Sequence, residues 1–385
     1  MPHPTLYFDN NATTRIDPTV AQLIFDLQME GLANPASQHR AGRWALRRLE
    51  QAKSQLLDAI AAPNTGMNSA QVVLTSGGTE ANNLAIRGYA TQRPGLVIVA
   101  GTEHSSLLDP ARDLGPTRCR MLPVDRCGRC DLQTLEDWIK ADAAAISLVS
   151  VMLGNNETGV IQDLQTICVL CRKYGIPVHS DAVQAVGKID VDMRSLGLSA
   201  LTITAHKLHG PVGIGALVLL HGEQIAPLML GGGQQLGLRP GTEPVAPAVA
   251  LAAAVELGRL AVAQGAYSRL AALRDRFETA LMELGEVEVV AAAADRLPHV
   301  ANVAFVGLDR QALQMALDFA GVACSTGSAC ASGSSRPSHV LTTMGLSDAA
   351  IAGSLRFSFS RFTTSQEVDT GIELISKVVR KLRAA

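Results

Sequence analysis

Short continuous apolar runs alternate along this chain with segments of helical period, and almost every apolar run ends in a cluster of polar residues. Gln71-Val-Val-Leu-Thr75, Leu96-Val-Ile-Val-Ala100, residues 144–152 and Ile176-Pro-Val-His-Ser-Asp181 have the length and continuity of strands covered on both faces. Two more such runs flank Lys207, within Thr202-Ile-Thr-Ala-His-Lys-Leu-His-Gly-Pro-Val-Gly-Ile-Gly-Ala-Leu-Val-Leu-Leu220. Leu46, Leu49, Ala52 and Leu56 recur at helical spacing and predict a helix over 38–61 with Ser37 as its cap; another is predicted over 164–174. Strand, polar loop and helix in repetition predict an α/β fold. Its sheet is expected to be mostly parallel with helices on both faces, gathering ligands at the carboxyl ends of the strands.

The pattern changes after the alanine-rich stretch 247–266. A helix over 267–284, strands near 287–290 and 301–305, a helix over 310–320, a strand over 355–359 and a last helix predict a smaller α+β domain. With 385 residues, more than one core is expected. The predicted division is a large domain over 15–255 and a small one made of 1–14 with 256–385, the latter holding a small-residue run, 321–335, that reads as a flexible loop around Cys330.

Composition narrows the possibilities. A hydrophobic content of 47% with 18% charged residues fits a globular enzyme rather than a disordered chain. The net charge of −2, without a basic run, argues against nucleic acid or an anionic membrane as the main partner and for a small substrate. The run 143–153 is too short to span a bilayer and 247–266 contains Glu256 and Arg259, so no membrane segment is expected. The N-terminus has neither the basic start nor the apolar core of a signal, which predicts a cytoplasmic protein whose seven cysteines stay reduced.

Candidate chemistry then concentrates at the predicted strand ends. Lys207 sits among apolar and glycine residues, where an amine is costly to bury unless it is covalently occupied as an imine; a surface lysine on the loop is the other reading. Thr75-Ser-Gly-Gly-Thr79 opens a helix with free amides that suit a phosphate, or is an ordinary tight turn with Thr79 as cap. His104, Asn156 and Asp181 fall at other strand ends. An imine-forming lysine, a carboxylate able to hold a pyridine nitrogen protonated, a phosphate cradle and a stacking histidine are together the requirements of pyridoxal 5'-phosphate.

The chain resembles the cysteine desulfurases of the NifS/IscS type, within the class V pyridoxal-phosphate-dependent aminotransferase family, over essentially its whole length. The residues behind the likeness are Asp9-Asn-Asn-Ala-Thr-Thr14, Asn34-Pro-Ala-Ser37, Thr75-Ser-Gly-Gly-Thr-Glu-Ala-Asn-Asn83, Glu103-His104, Asn155-Asn-Glu-Thr-Gly159, Asp181-Ala-Val-Gln184, His206-Lys207, Arg239-Pro-Gly-Thr242, Ser325-Thr-Gly-Ser-Ala-Cys330 and Arg356-Phe-Ser358. The resemblance implies the type I fold of this class. It also implies that Lys207 binds the cofactor, His104 stacks on it and moves protons, and Asp181 pairs with the ring nitrogen. Gln184 and Asn156 would contact the ring hydroxyl, and Gly78, Thr79, Thr204 and His206 would hold the phosphate. Thr242 would reach the phosphate of a partner subunit, so a homodimer is implied. Asn34, Asn156 and Arg356 would bind the substrate carboxylate. L-cysteine would become L-alanine, with its sulfur taken by Cys330 as a persulfide and passed to an acceptor protein or iron–sulfur scaffold. Selenocysteine lyase or aminotransferase chemistry is the alternative within the same class.

The remaining cysteines read as structural. Cys168 and Cys171 lie on a predicted helix where apolar residues belong, and Cys324 reads as a small buried residue. Cys127 and Cys130 share a predicted hairpin turn; two ligands fall short of the four that structural zinc takes, which favours no metal. Residues 221–230 lack the basic residues common in the resembling proteins, and Arg336 stands where an acidic residue is usual, which leaves the acceptor open.

Overall fold

The computed structural model describes residues 6–327 and 336–384. Twelve strands occur among them: β1 (Leu6–Tyr7), β2 (Gln71–Thr75), β3 (Leu96–Ala100), β4 (Cys119–Leu122), β5 (Ile146–Ser150), β6 (Val178–Asp181), β7 (Ala200–Thr204), β8 (Gly215–Leu219), β9 (Val287–Val289), β10 (Val300–Phe305), β11 (Val322–Ala323) and β12 (Ser354–Ser358). Seven form one sheet in the order β2-β8-β7-β6-β5-β3-β4. The pairings from β7 to β4 are parallel, as the alternating pattern predicts, whereas β8 runs antiparallel to both β2 and β7. Every residue of β5, β7 and β8 is buried, which explains why these segments read as unbroken apolar runs rather than alternating ones.

The two faces of the sheet are covered separately. Val72, Leu74, Ile98, Val149, Leu201, Ile203 and Val218 pack with Leu49, Leu56 and Leu251 of the helices Arg40–Ala59 and Val245–Ala263. The alternate residues Val73, Val97, Val99, Leu148 and Leu217 pack against Leu84, Tyr89 and Leu107 of the helices Gly78–Gln92 and Ser105–Asp113. The strand period of two therefore sends successive side chains into two different cores.

One cap differs from expectation. The helix Arg40–Ala59 is capped by His39, whose Nδ1 accepts the Gly42 N–H at 3.1 Å, and not by Ser37. The backbone of Ser37 instead lies against Gly42, where an added Cβ would meet the Ser37 carbonyl oxygen at 2.1 Å. Glycine at 42 is what lets the incoming chain cross the first turn so closely.

The second core belongs to the later part of the chain and to Phe8. The sheet β12-β10-β9 is antiparallel, and β1 pairs in parallel with β11. Phe8 meets Phe359 edge-on at 5.0 Å, and Phe277 meets Phe357 at 5.1 Å. Phe8 also fills the space where a Cβ on Gly371 would come within 2.5 Å of its ring. The helix Val245–Ala263 is long and apolar enough to cross a membrane by length and composition. Here it is packed within the protein, with Leu251 and Val255 in the first core and Ala261 and Val262 against the second. The expected boundary at residue 255 falls inside this helix.

Candidate active site

Strand direction gathers the chemistry. Across the sheet, Thr75 and Thr204 both lie opposite Gly215, so β2 and β7 end where the antiparallel β8 begins. Asp181 ends β6 opposite Thr202, and β3 leads through Thr102 to Glu103 and His104. Lys207 follows β7 in a single 3₁₀ turn, Ala205–Lys207.

Lys207 is half-buried, and its Nζ donates to the carbonyl oxygens of Asn11 and, at 2.8 Å, Ala12. The start of the helix Gly78–Gln92 lies over Thr204: an added Cβ on Gly78 would meet Thr204 Cβ at 3.7 Å and Val183 Cγ2 at 3.1 Å. This helix has no side-chain cap, which leaves its first amides available to an anion. Thr204 is buried and its hydroxyl donates to the Ile214 carbonyl, while Thr79 is exposed at the helix start. The His206 ring, whose Nδ1 lies 3.2 Å from Thr13 Oγ1, is pushed down to about 4 by burial first and then by the Lys207 and Lys188 charges. It is neutral at physiological pH.

Asp181 and His104 are joined by two residues to which the sequence pattern assigned no role. Asp181 Oδ1 accepts the Val183 N–H at 2.9 Å and Oδ2 accepts Asn82 Nδ2 at 2.7 Å. The same Asn82 nitrogen donates to Ser106 Oγ at 2.9 Å, and Ser106 Oγ lies 2.8 Å from His104 Nδ1. His104 Nδ1 also accepts the Ser106 backbone N–H at 3.1 Å. A backbone N–H can only donate, so Nδ1 is the bare nitrogen, and in the neutral ring the proton is carried by Nε2.

Arg356, only 1% exposed, brings a guanidinium to the same edge from β12. It pairs with Asp9 at 2.7 Å and donates to the carbonyls of Asn156 at 3.1 Å and Gly327 at 3.3 Å. Asn11 Nδ2 also donates to the Asn156 carbonyl, at 3.0 Å. Gln184 is buried, with Nε2 donating to the Asn11 carbonyl at 3.0 Å. Lys207, Asp181, His104, Gln184, Asn156, Thr204, Gly78 and Arg356 thus share one edge. Asn34 and Thr242 do not join it: both are exposed, and Asn34 Oδ1 accepts the Ala36 N–H in a local turn. Cys330 lies outside the described residues.

Residues 6–370 match the Aminotransferase class-V family. The chain belongs to that family. The class-V chain is 38% identical to a cysteine desulfurase from Bradyrhizobium diazoefficiens, over 99% of this chain and 96% of that protein. It is similar to the crystal structure of a NifS-like protein from Rickettsia africae, with 31% identity and a TM-score of 0.89 over 97% of this chain and 99% of that one. It is also similar to a structure described as SspA in complex with cysteine, with 29% identity and a TM-score of 0.79 over 93% of this chain and 99% of that one.

The donor set of this class-V site fits an aldehyde cofactor with a phosphate. A primary amine, a carboxylate held by two donors and an uncapped helix start backed by a buried threonine hydroxyl lie on one edge. Arg239 Nε pairs with Glu80 Oε1 at 3.0 Å, which ties the segment leading to Thr242 onto the first turn of that helix.

Glu103 was named in the sequence only within the Glu103-His104 pair, without a role of its own. It is fully buried, with Oε1 accepting the Met152 N–H at 2.6 Å and Oε2 without a hydrogen-bond partner among the described residues. Burial raises its carboxyl well above the usual range, the Met152 N–H opposes this, and the Asp181 charge adds to it. The fold therefore favours the protonated form of Glu103. An acid with a raised folded pKa contributes stability that is full below its unfolded pKa and lost as pH rises through the folded value. Glu103→Gln is expected to unfold at a urea midpoint that hardly varies where the wild type loses stability toward alkaline pH. Parallel wild-type and variant profiles would remove Glu103 as the cause.

The other cysteines behave as packing residues. Cys168 and Cys171 are buried, with thiols pushed up to about 12, chiefly by burial. Cys324 is likewise buried and pushed up to about 12. Cys127 and Cys130 share the expected turn, closed by the Asp125 N–H on the Arg129 carbonyl at 2.8 Å. Burial pushes the Cys130 thiol far up, against a thiolate at neutral pH. No group of three metal-ligating side chains occurs among the described residues.

Proposed function

We propose that the protein is a pyridoxal-phosphate-dependent cysteine desulfurase: L-cysteine gives up its sulfur to Cys330 as a persulfide and leaves as L-alanine. The supporting observation is the Lys207 amine on the Asn11 and Ala12 carbonyls beside the hydrogen-bonded series Asp181, Asn82, Ser106 and His104, in a chain whose relatives include a cysteine desulfurase. Bound pyridoxal phosphate supplies an electron sink that makes the substrate's sulfur transferable.

The protein's own groups do the rest. Lys207 would hold the aldehyde, and Asp181 would supply the carboxylate that keeps the ring nitrogen protonated. Gly78, Thr79, Thr204 and the neutral His206 would hold the phosphate with donors rather than with a full charge. Arg356, with Asn156, takes the substrate carboxylate, for which it exchanges its Asp9 partner. His104 gives or takes a proton at Nε2, because Nδ1 is occupied by Ser106. The Cys330 thiolate forms the new S–S bond as the C–S bond of the substrate breaks, so one thiol and one cysteine become one persulfide and one alanine.

The working unit is a homodimer in the cytoplasm, with Thr242 completing the phosphate site of the other subunit. Exposed Leu228, Met229, Leu230 and Leu236 on the same glycine-rich segment support this. The persulfide is passed to an acceptor protein for iron–sulfur assembly or thiolation. The purified protein is expected to be coloured by its Lys207–cofactor linkage and to release alanine and, with a reductant, sulfide from L-cysteine in equal amounts. Colourless protein that cofactor addition leaves unchanged overturns the cofactor; alanine without sulfide overturns the desulfurase.

A further inference from the structure

Lys188 is only 4% exposed, a lone cation within the run Ala185-Val-Gly-Lys-Ile189. Its Nζ donates to Gln184 Oε1 at 2.7 Å. Burial lowers its pKa well below the usual lysine range, and the Lys207 and Arg356 charges lower it further. The other titratable groups facing it are His206, His209 and His299. A buried amine among cations, bonded to a neutral amide, is not an ion-pair support, so its value to the fold lies in what it does to that amide.

The orientation of an amide follows from its partners. The Lys188 amine approaches Gln184 as a donor, and the Asn11 carbonyl can only accept. Together they force Oε1 toward Lys188 and the NH₂ group toward Asn11, whose carbonyl also takes the Lys207 amine. Gln184 therefore has its acceptor used up and a second N–H to spare, beside the lysine that binds the cofactor. We propose that Lys188 is a positioning residue: it fixes the Gln184 amide with its donor side toward the ring hydroxyl of the cofactor, and so sets how firmly the Lys207 linkage holds its proton. This rests on the cofactor assignment made above and adds a residue that never touches the cofactor.

Without a donor at 188, Oε1 is a buried orphan that turns toward the linkage or the ring oxygen. The ring oxygen loses its donor, and the linkage proton is held more tightly. The midpoint of the pH-dependent change in the visible band of the cofactor-loaded protein is expected to rise by about one unit in Lys188→Met. Lys188→Gln, which keeps a donor and removes the charge, is expected to stay within about 0.3 unit of wild type, a shift small on the scale of one hydrogen bond. In a Gln184→Met background, Lys188→Met is expected to add nothing, and that apolar pair leaves no orphan carbonyl should the single variant fold poorly. Equal shifts in the Met and Gln variants would assign the effect to charge and overturn the proposal; so would an unmoved midpoint, or a further shift in the Gln184→Met background. A wild type with no visible band would overturn the cofactor assignment itself, which separates the two failures.

Discussion

Cys330→Ala protein is expected to keep its cofactor colour and to lose sulfur release from L-cysteine by about 10³-fold or more, the scale on which removal of a nucleophile is felt. Cys330 lies outside the described residues, but both flanks of its segment are anchored at the site. Ser325 exchanges two backbone hydrogen bonds with Arg356, the Gly327 carbonyl accepts from the Arg356 guanidinium, and Ser338 Oγ donates to Glu157 Oε2 at 2.6 Å. The described residues on either side thus contact Arg356, at Gly327, and Glu157, at Ser338. The buried cysteines Cys168, Cys171 and Cys324 offer no ready substitute: their thiols are pushed up to about 12, and a thiol that high supplies almost no thiolate at neutral pH. Alanine and sulfide assays with the variant decide the matter. Full activity would place the sulfur on another acceptor, and loss of colour would show that the substitution damaged the site rather than removed the nucleophile.

The central parallel strands and the residues at their ends were legible in the sequence because both rest on local pattern. A buried run followed by a polar loop announces a strand and its carboxyl end, and Asp181, His104 and Lys207 lie in such loops or at such ends. The antiparallel setting of β8 was not legible, since periodicity reports burial and not direction. The cap at His39 was missed because the choice between Ser37 and His39 depends on the close approach of Ser37 to Gly42, which no propensity contains. Asn11, Asn82 and Ser106 were missed for a different reason: each acts through hydrogen bonds to residues on other elements, up to 347 positions away for the Asn11–Ser358 pair, while Lys188 acts on Gln184, four positions away, in a geometry no pattern specifies. Lys188 alone left a trace, a lone cation within an apolar run, the same signal that first marked Lys207. Asn34 and Thr242 were named from resemblance and not from local pattern, and both lie exposed, away from the edge that gathers the other site residues.

Asp181→Asn is expected to lower kcat by about 10²–10³-fold, the size of one lost electrostatic partner in an active site, while cofactor affinity changes far less. The first part of the loss is direct: a neutral amide does not hold a pyridine nitrogen protonated. The second part follows from the hydrogen bonds. Asn82 Nδ2 now donates to both Asp181 Oδ2 and Ser106 Oγ. An amide at 181 can keep its oxygen on the Val183 N–H, where Asp181 Oδ1 accepts at 2.9 Å, only by turning its own NH₂ toward the NH₂ of Asn82. Asn82 must then flip and present its oxygen, which makes Ser106 Oγ a donor to Asn82 instead of to His104 Nδ1. His104 Nδ1 then loses the Ser106 hydroxyl and retains the backbone N–H of Ser106, so the substitution loosens the proton-moving histidine as well as the ring partner. Ser106→Ala, which removes the hydroxyl and leaves Asp181 charged, should reproduce the histidine share of the defect alone and so lower kcat less than Asp181→Asn. Measured kcat in Asp181→Asn within about tenfold of wild type, or Ser106→Ala as damaging as Asp181→Asn, would break this account of how the two residues work as one unit.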